Sequence, residues 1–288
     1  MTTKNTTTRP PLRLHAAFSG GAAELLQSDV DVMGRGLEPV VLLYEGDLSP
    51  DTTQKGAARV LAWDIVHARA SVAAKIPDPA YAGKVAVNFE TFERSLNPGT
   101  LAAMGAILAL IRELRPAAKI GWYGHPRRFL WQWEKEATVG EIESYGTAWL
   151  AMMDGLLGQS MSLLAPHNYP IGELVETRGE MLKGKYRYLR EDMERLIVRQ
   201  TRWVDALPHG KREVLWFVTP FVTRPGDPPD DYTCNLVSVR TFAAWVEAMR
   251  DSGAENVAVW MHTTPGDEGQ LERVRKALVE VVFEGLGV

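Results

Sequence analysis

Cysteine is almost missing from these 288 residues: Cys234 is the only one. An internal disulfide is therefore excluded, as is any zinc site built on several thiolates. Excess positive charge is missing as well. The 32 Lys and Arg stand against 36 Asp and Glu, giving a formal net charge of -4 and a pI near 5.9. No general basic surface remains for nucleic acid, and a polyanion would need a local basic groove. Long apolar runs are missing too. The longest, "AAMGAILALI" (102–111), falls far short of the roughly 20 residues that cross a bilayer, so no membrane partner is expected. The first eleven residues, "MTTKNTTTRPP", carry no apolar core of a signal peptide. Residues 1–10 read as a flexible tail, and the cytoplasm is the default location unless a leader has been removed.

Several catalytic signatures are also missing. No strand is followed by G-x-G-x-x-G or a Walker A loop, no G-x-S-x-G elbow occurs, and no His-x-His or His-Glu-x-x-His spacing pre-forms a metal site. His125, His167 and His262 fall near the ends of predicted strands. Scattered imidazoles in a polar cleft are more often hydrogen-bonding groups than ligands, so neither metal nor cofactor is expected.

What is present is alternation. Seven β-rich runs recur, at 11–20, 38–47, 84–90, 119–126, 160–170, 212–221 and 255–262, each followed by a helical stretch. The run "NPGTLAAMGAILALIRELRP" shows the punctuation of a helix, with Asn97 to cap, Pro98 in the first turn and Pro116 beyond the end. A long charged helix is predicted over 174–206. Strict β/α alternation suits an open doubly wound sheet or a closed barrel. The missing nucleotide loops, and polar and aromatic residues gathered at the strand ends, favour the barrel. The expected fold is a TIM-like (β/α) barrel, distorted, with seven parallel strands, in one domain over 11–288.

The strand ends deliver Tyr44, Glu45 and Asp47; Asn88 and Glu90; Trp122, Tyr123 and His125; His167, Asn168 and Tyr169; Trp216 and Phe221; Trp260 and His262. Aromatic faces beside a few carboxylates and amides suit a sugar, whose ring faces stack while its hydroxyls need hydrogen-bond partners. Cleaving a glycosidic bond needs a carboxylic acid that keeps its proton for the leaving oxygen. In "KVAVNFETFER", alternation along a strand puts Asn88 and Glu90 on one face and Phe89 on the other. Glu90 is the leading acid candidate. Glu45 and Asp47 form a rival carboxylate pair, whose bland alternative is a loop with a helix cap at Ser49 or Asp51. Tyr123 and Trp260 could equally be core aromatics.

The run "VAVNFETFERSL" resembles the hyaluronidase pattern of a buried strand ending in Asp-x-Glu. "KIGWYGHPRRF" is similar to the next strand of that family, and "LLAPHNYP", "LWFVTPFV" and "NVAVWMH" are similar to later ones, over roughly residues 38 to 265. The resemblance implies a seven-stranded β/α barrel and retaining glycoside hydrolysis. In that mechanism Glu90 is acid and then base, the substrate's own 2-acetamido oxygen is the nucleophile, and residue 88 orients the acetamido group. Asn88 stands where the family has Asp. An amide still accepts the acetamido N–H through its carbonyl oxygen, and some endo-β-N-acetylglucosaminidases use Asn-x-Glu. The implied substrate is an N-acetylhexosamine-containing polysaccharide or glycan. Tyr123, Tyr169 and Trp260 would shape the subsite of the cleaved sugar, with Trp216, Glu45, Tyr44, His167 and Asn168 as further binding candidates. A non-catalytic carbohydrate-binding barrel, and a barrel hydrolase using another carboxylate or a metal, are the alternatives.

Overall fold

A computed structural model describes residues 12–25, 29, 32, 34–54, 56–89, 98–124, 139–166, 173–175, 187–207, 212–221 and 233–287. Nine strands occur among them: β1 (Arg13–Gly20), β2 (Glu38–Tyr44), β3 (Lys84–Asn88), β4 (Lys119–Trp122), β5 (Leu163–Leu164), β6 (Glu173–Val175), β7 (Arg187–Leu189), β8 (Glu213–Val218) and β9 (Asn256–Thr263). Seven form one parallel sheet in the order β4-β3-β2-β1-β9-β8-β5. The two outer strands of that order meet again. Ser162 N–H donates to the Ile120 carbonyl (3.0 Å), Gly124 N–H donates to the Ala165 carbonyl (2.8 Å), and Tyr123 bridges Ala165 in parallel register. The sheet is thus a nearly closed barrel of seven parallel strands, as the sequence predicts.

Closure depends on a glycine. A Cβ on Gly121 would lie 2.2 Å from the Leu163 carbonyl oxygen, so β4 and β5 approach as they do only because residue 121 has no side chain.

The alternation within each strand sorts three apolar clusters. Ala17, Val40, Leu42, Ala86, Leu163, Leu215, Phe217 and Ala258 fill the barrel. Val85, Val87, Ile120 and Trp122 face outward, against the helices Ile65–Lys75, Pro98–Leu114 and Val139–Asp154. Trp216, Val218, Val257 and Val259 face outward on the other side, against Arg190–Asp205, Val239–Asp251 and the helical run from Glu268 to Phe283. Side chains fix where three of these helices start. Asp64, Ser238 and Asp267 accept the backbone N–H of His67 (2.7 Å), Thr241 (3.2 Å) and Gln270 (2.9 Å), each satisfying a donor the helix leaves orphaned.

The floor of the barrel, at the amino ends of the strands, is polar. His15 is fully buried, with Nε2 3.2 Å from Asn256 Oδ1 and Nδ1 3.3 Å from Glu38 Oε2. Lys84 Nζ lies 2.9 Å from Glu213 Oε1, and Lys119 pairs with the other oxygen of that carboxylate. Burial opposes the charge on Glu213, but hydrogen bonds from Lys119 and Lys84 prevail and hold its pKa below the usual value.

Two expectations need correction. Among the described residues of the helix predicted over 174–206, only Arg190–Asp205 is helical, with its cap at Ala206; Glu173–Val175 and Arg187–Leu189 instead pair as a two-stranded parallel ribbon. The second strand, predicted to 47, ends at Tyr44. Glu45–Leu48 turns at once into a short helix, capped by Asp47 accepting the Tyr44 N–H at 2.7 Å, with Ser49 at its end and not its start. Among the described residues, no helix is long and apolar enough to cross a membrane.

Candidate active site at the carboxyl end of the barrel

Strand register brings the predicted residues to one level. Tyr44 on β2 is the partner of Asn88 on β3, and Val87 is the partner of Trp122, which sets Tyr123 beside Asn88. Asn88 is 2% exposed and shares the parity of Ala86, inside the barrel. Its neighbour Phe89 points the other way and stacks on Trp122 at 5.7 Å. The alternation read from "KVAVNFE" therefore holds through Phe89. Glu90 lies outside the described residues, as do His125, His167, Asn168 and Tyr169.

Tyr123 and Trp260 belong to the barrel-interior cluster, and Tyr44 packs against it. Tyr123 meets Phe217 edge-on at 5.0 Å, which presents a ring edge to a ring face as the aromatic quadrupole favours. Trp260 lies nearly parallel to the His262 ring, 6.4 Å away. Tyr44, Asn88 and Tyr123 thus line the barrel at the close of three different strands, with Trp260 further back on β9. Such convergence is where barrels build their sites.

Trp216 does not join them. Its side chain is in the outer cluster with Met193, Ile197 and Val218, while its neighbours Leu215 and Phe217 point inward. The run "EVLWFV" is apolar on both faces, as strands buried on both sides are, so alternation in the sequence could not tell in from out. Its expected role in binding sugar is corrected to packing of the helical shell; Trp122 is outward for the same reason.

The rival carboxylates are held by cations. Glu45 Oε2 accepts from Arg59 Nη1 at 2.8 Å. Asp47 Oδ2 accepts from Lys75 Nζ at 2.7 Å as well as from the Tyr44 backbone. Both carboxylates work in the first turn after β2, where negative charge favours a helix start. Among the described residues, no group of three His, Cys, Asp or Glu could hold a metal ion.

Sequence reasoning missed Ser19. At the end of β1 its Oγ accepts from the Tyr44 hydroxyl at 2.8 Å and lies 2.9 Å from His262 Nδ1. The register pairs Ser19 with His262 directly. The signal was available: Ser19 has the parity of the inward Ala17, and it stands next to the last residue of its strand, just before two glycines.

No family model matches the chain, and no curated protein matches it. Solved structures do. Bee venom hyaluronidase aligns with a TM-score of 0.70 at 13% identity, covering 96% of this chain and all of that one. The same enzyme in complex with a hyaluronic acid tetramer gives a TM-score of 0.65 at 12% identity, covering 96% of this chain and 98% of that one. A protein from Bacteroides thetaiotaomicron assigned as an alpha-L-fucosidase gives 0.52 at 9% identity, covering both chains fully. At these identities the likeness defines the fold, a nearly closed (β/α) barrel of the kind those proteins share.

Proposed function

We propose that this chain is a glycoside hydrolase that retains anomeric configuration by substrate assistance and acts on glycans containing N-acetylhexosamine. The observation that carries the reading is Asn88: a buried amide on the inner wall of the barrel, in register with Tyr44 and beside Tyr123, two residues before a glutamate. The shared fold of hyaluronidase and the other sugar-directed barrel supports a glycosidase-like activity, and the substrate and mechanism are this proposal's own.

In the first step Glu90 donates its proton to the glycosidic oxygen while the substrate's acetamido carbonyl oxygen bonds to the anomeric carbon, and the leaving sugar departs as an alcohol. Asn88 accepts the acetamido N–H and keeps that oxygen on line. In the second step Glu90, now a carboxylate, takes a proton from water as the water attacks the same carbon and the ring formed by the acetamido group reopens. Tyr123 and Trp260 supply apolar faces for the sugar.

The test is reducing-end release from N-acetylhexosamine polymers by the wild type and Glu90→Gln. Release by the wild type, reduced at least about 1000-fold in the variant, is expected for loss of the proton donor. Equal release by both would remove Glu90 from the mechanism. A second reading is favoured by Asn88 standing where the related pattern has Asp: a carbohydrate-binding barrel without turnover. Oligosaccharide binding with no release from either protein would establish that reading.

A further inference from the structure

In the sheet β1 lies between β2 and β9, and near its carboxyl end Ser19 reaches across to both. Its Oγ accepts from the Tyr44 hydroxyl on β2 at 2.8 Å and lies 2.9 Å from Nδ1 of His262, its register partner on β9. Each neighbour leads to one side of the candidate site. Tyr44 is in register with Asn88 on β3, and the His262 ring lies nearly parallel to that of Trp260. Ser19, Tyr44 and His262 are all half-buried, so they border solvent at the mouth of the barrel, where a glycan would enter.

The link holds wherever His262 carries its proton. A serine hydroxyl has one proton to give and two lone pairs to receive with. Oγ donates to a bare Nδ1, and it accepts from a protonated Nδ1 while still accepting from Tyr44. Tyr44 is fixed at two further points. Asp47 accepts its backbone N–H at 2.7 Å, and Lys75, whose Nζ donates to the same carboxylate oxygen at 2.7 Å, lies over its ring at 5.4 Å from the centroid. Such a cation is drawn to the ring face. Tyr44 is thereby the anchored end of the link, and through Ser19 its order passes to His262.

We propose that Ser19 is a positioning residue of the sugar site: it holds Tyr44 and His262 to each other, and so sets the Asn88 side of the barrel against the Trp260 side before a glycan binds. The sugar in this assignment rests on the glycosidase reading above; the coupling of the side chains does not. The experiment is calorimetric titration of Glu90→Gln protein carrying Ser19, Ser19→Ala or Ser19→Thr with the tetramers of N-acetylglucosamine and of hyaluronan, the Glu90 change suppressing turnover. In parallel, nitrogen NMR of labelled histidine follows His262, assigned through His262→Gln. Ser19→Ala should weaken binding of the tetramer by about tenfold, because binding must then order two freed side chains, and should shift the His262 ring nitrogens. Ser19→Thr, which restores the hydroxyl, should bring both back together. Undiminished affinity in Ser19→Ala, or affinity that does not follow the His262 resonances across the three proteins, would overturn the positioning role while leaving a carbohydrate site in place. Unmoved His262 resonances in Ser19→Ala would overturn the coupling itself. Binding of neither tetramer by any of the three would overturn the proposal together with the carbohydrate reading it rests on.

Discussion

Asn88 and Trp216 show how a side chain's meaning depends on which face of its strand it occupies. Asn88 is buried inside the barrel. On the proposed mechanism Asn88→Ala should lower kcat about 100-fold with little change in KM, because a well-aimed acetamido oxygen matters most in the transition state. Steady-state kinetics on a soluble N-acetylhexosamine oligosaccharide would show it, and a pure KM effect would count against the assigned role. Trp216, 2% exposed in the outer shell, should behave as core. Trp216→Ala is expected to cost about 3 to 5 kcal/mol of stability in urea unfolding. Trp260→Ala should instead weaken sugar binding, since that ring lies inside the barrel beside His262. The parity of Asn88 was legible because an amide and an aromatic alternate there; that of Trp216 was not, because every residue around it is apolar.

At the scale of elements, the closure of β4 on β5 is a tight constraint. β5 is two residues long, and its ladder to β4 is supplemented by Ser162 Oγ accepting the Ile120 N–H at 2.9 Å. Gly121→Ala would press a methyl onto the Leu163 carbonyl. About 1 to 3 kcal/mol of destabilisation is expected from such overpacking, read as a lower urea midpoint with an unchanged slope. No loss would mean that β4 and β5 part easily. The helix Pro98–Leu114 was readable from its prolines and its apolar face. The ribbon of β6 and β7 was not, because strands of three residues carry too little pattern to be seen against a charged background.

Across the whole molecule, strands remote in sequence converge on the polar floor, and that floor ties stability to pH. Burial, with Lys84 beside it, holds the His15 pKa below its usual value, against the opposing pull of the Asn256 hydrogen bond and of Glu38 and Glu213. In the unfolded chain His15 titrates near about 6.5, so below that pH the unfolded state binds the proton more readily. The stability contributed by neutral His15 is present above this pH and is lost as pH falls toward the folded value. The thermal midpoint should therefore drop between about pH 7 and pH 5, and His15→Gln should flatten that drop; identical profiles would show that His15 is not the titrating group. The sequence alone determined the alternation of strands and helices, the barrel they form, and the candidates Asn88, Tyr123 and Trp260, because periodicity and strand ends are local properties of a chain. Only the tertiary structure decided that Trp216 faces outward, that Glu45 and Asp47 are held by Arg59 and Lys75, and that Ser19 joins Tyr44 to His262. Those facts depend on which strands become neighbours and in what register, and contacts between residues as far apart as 19 and 262 are fixed only when the barrel closes.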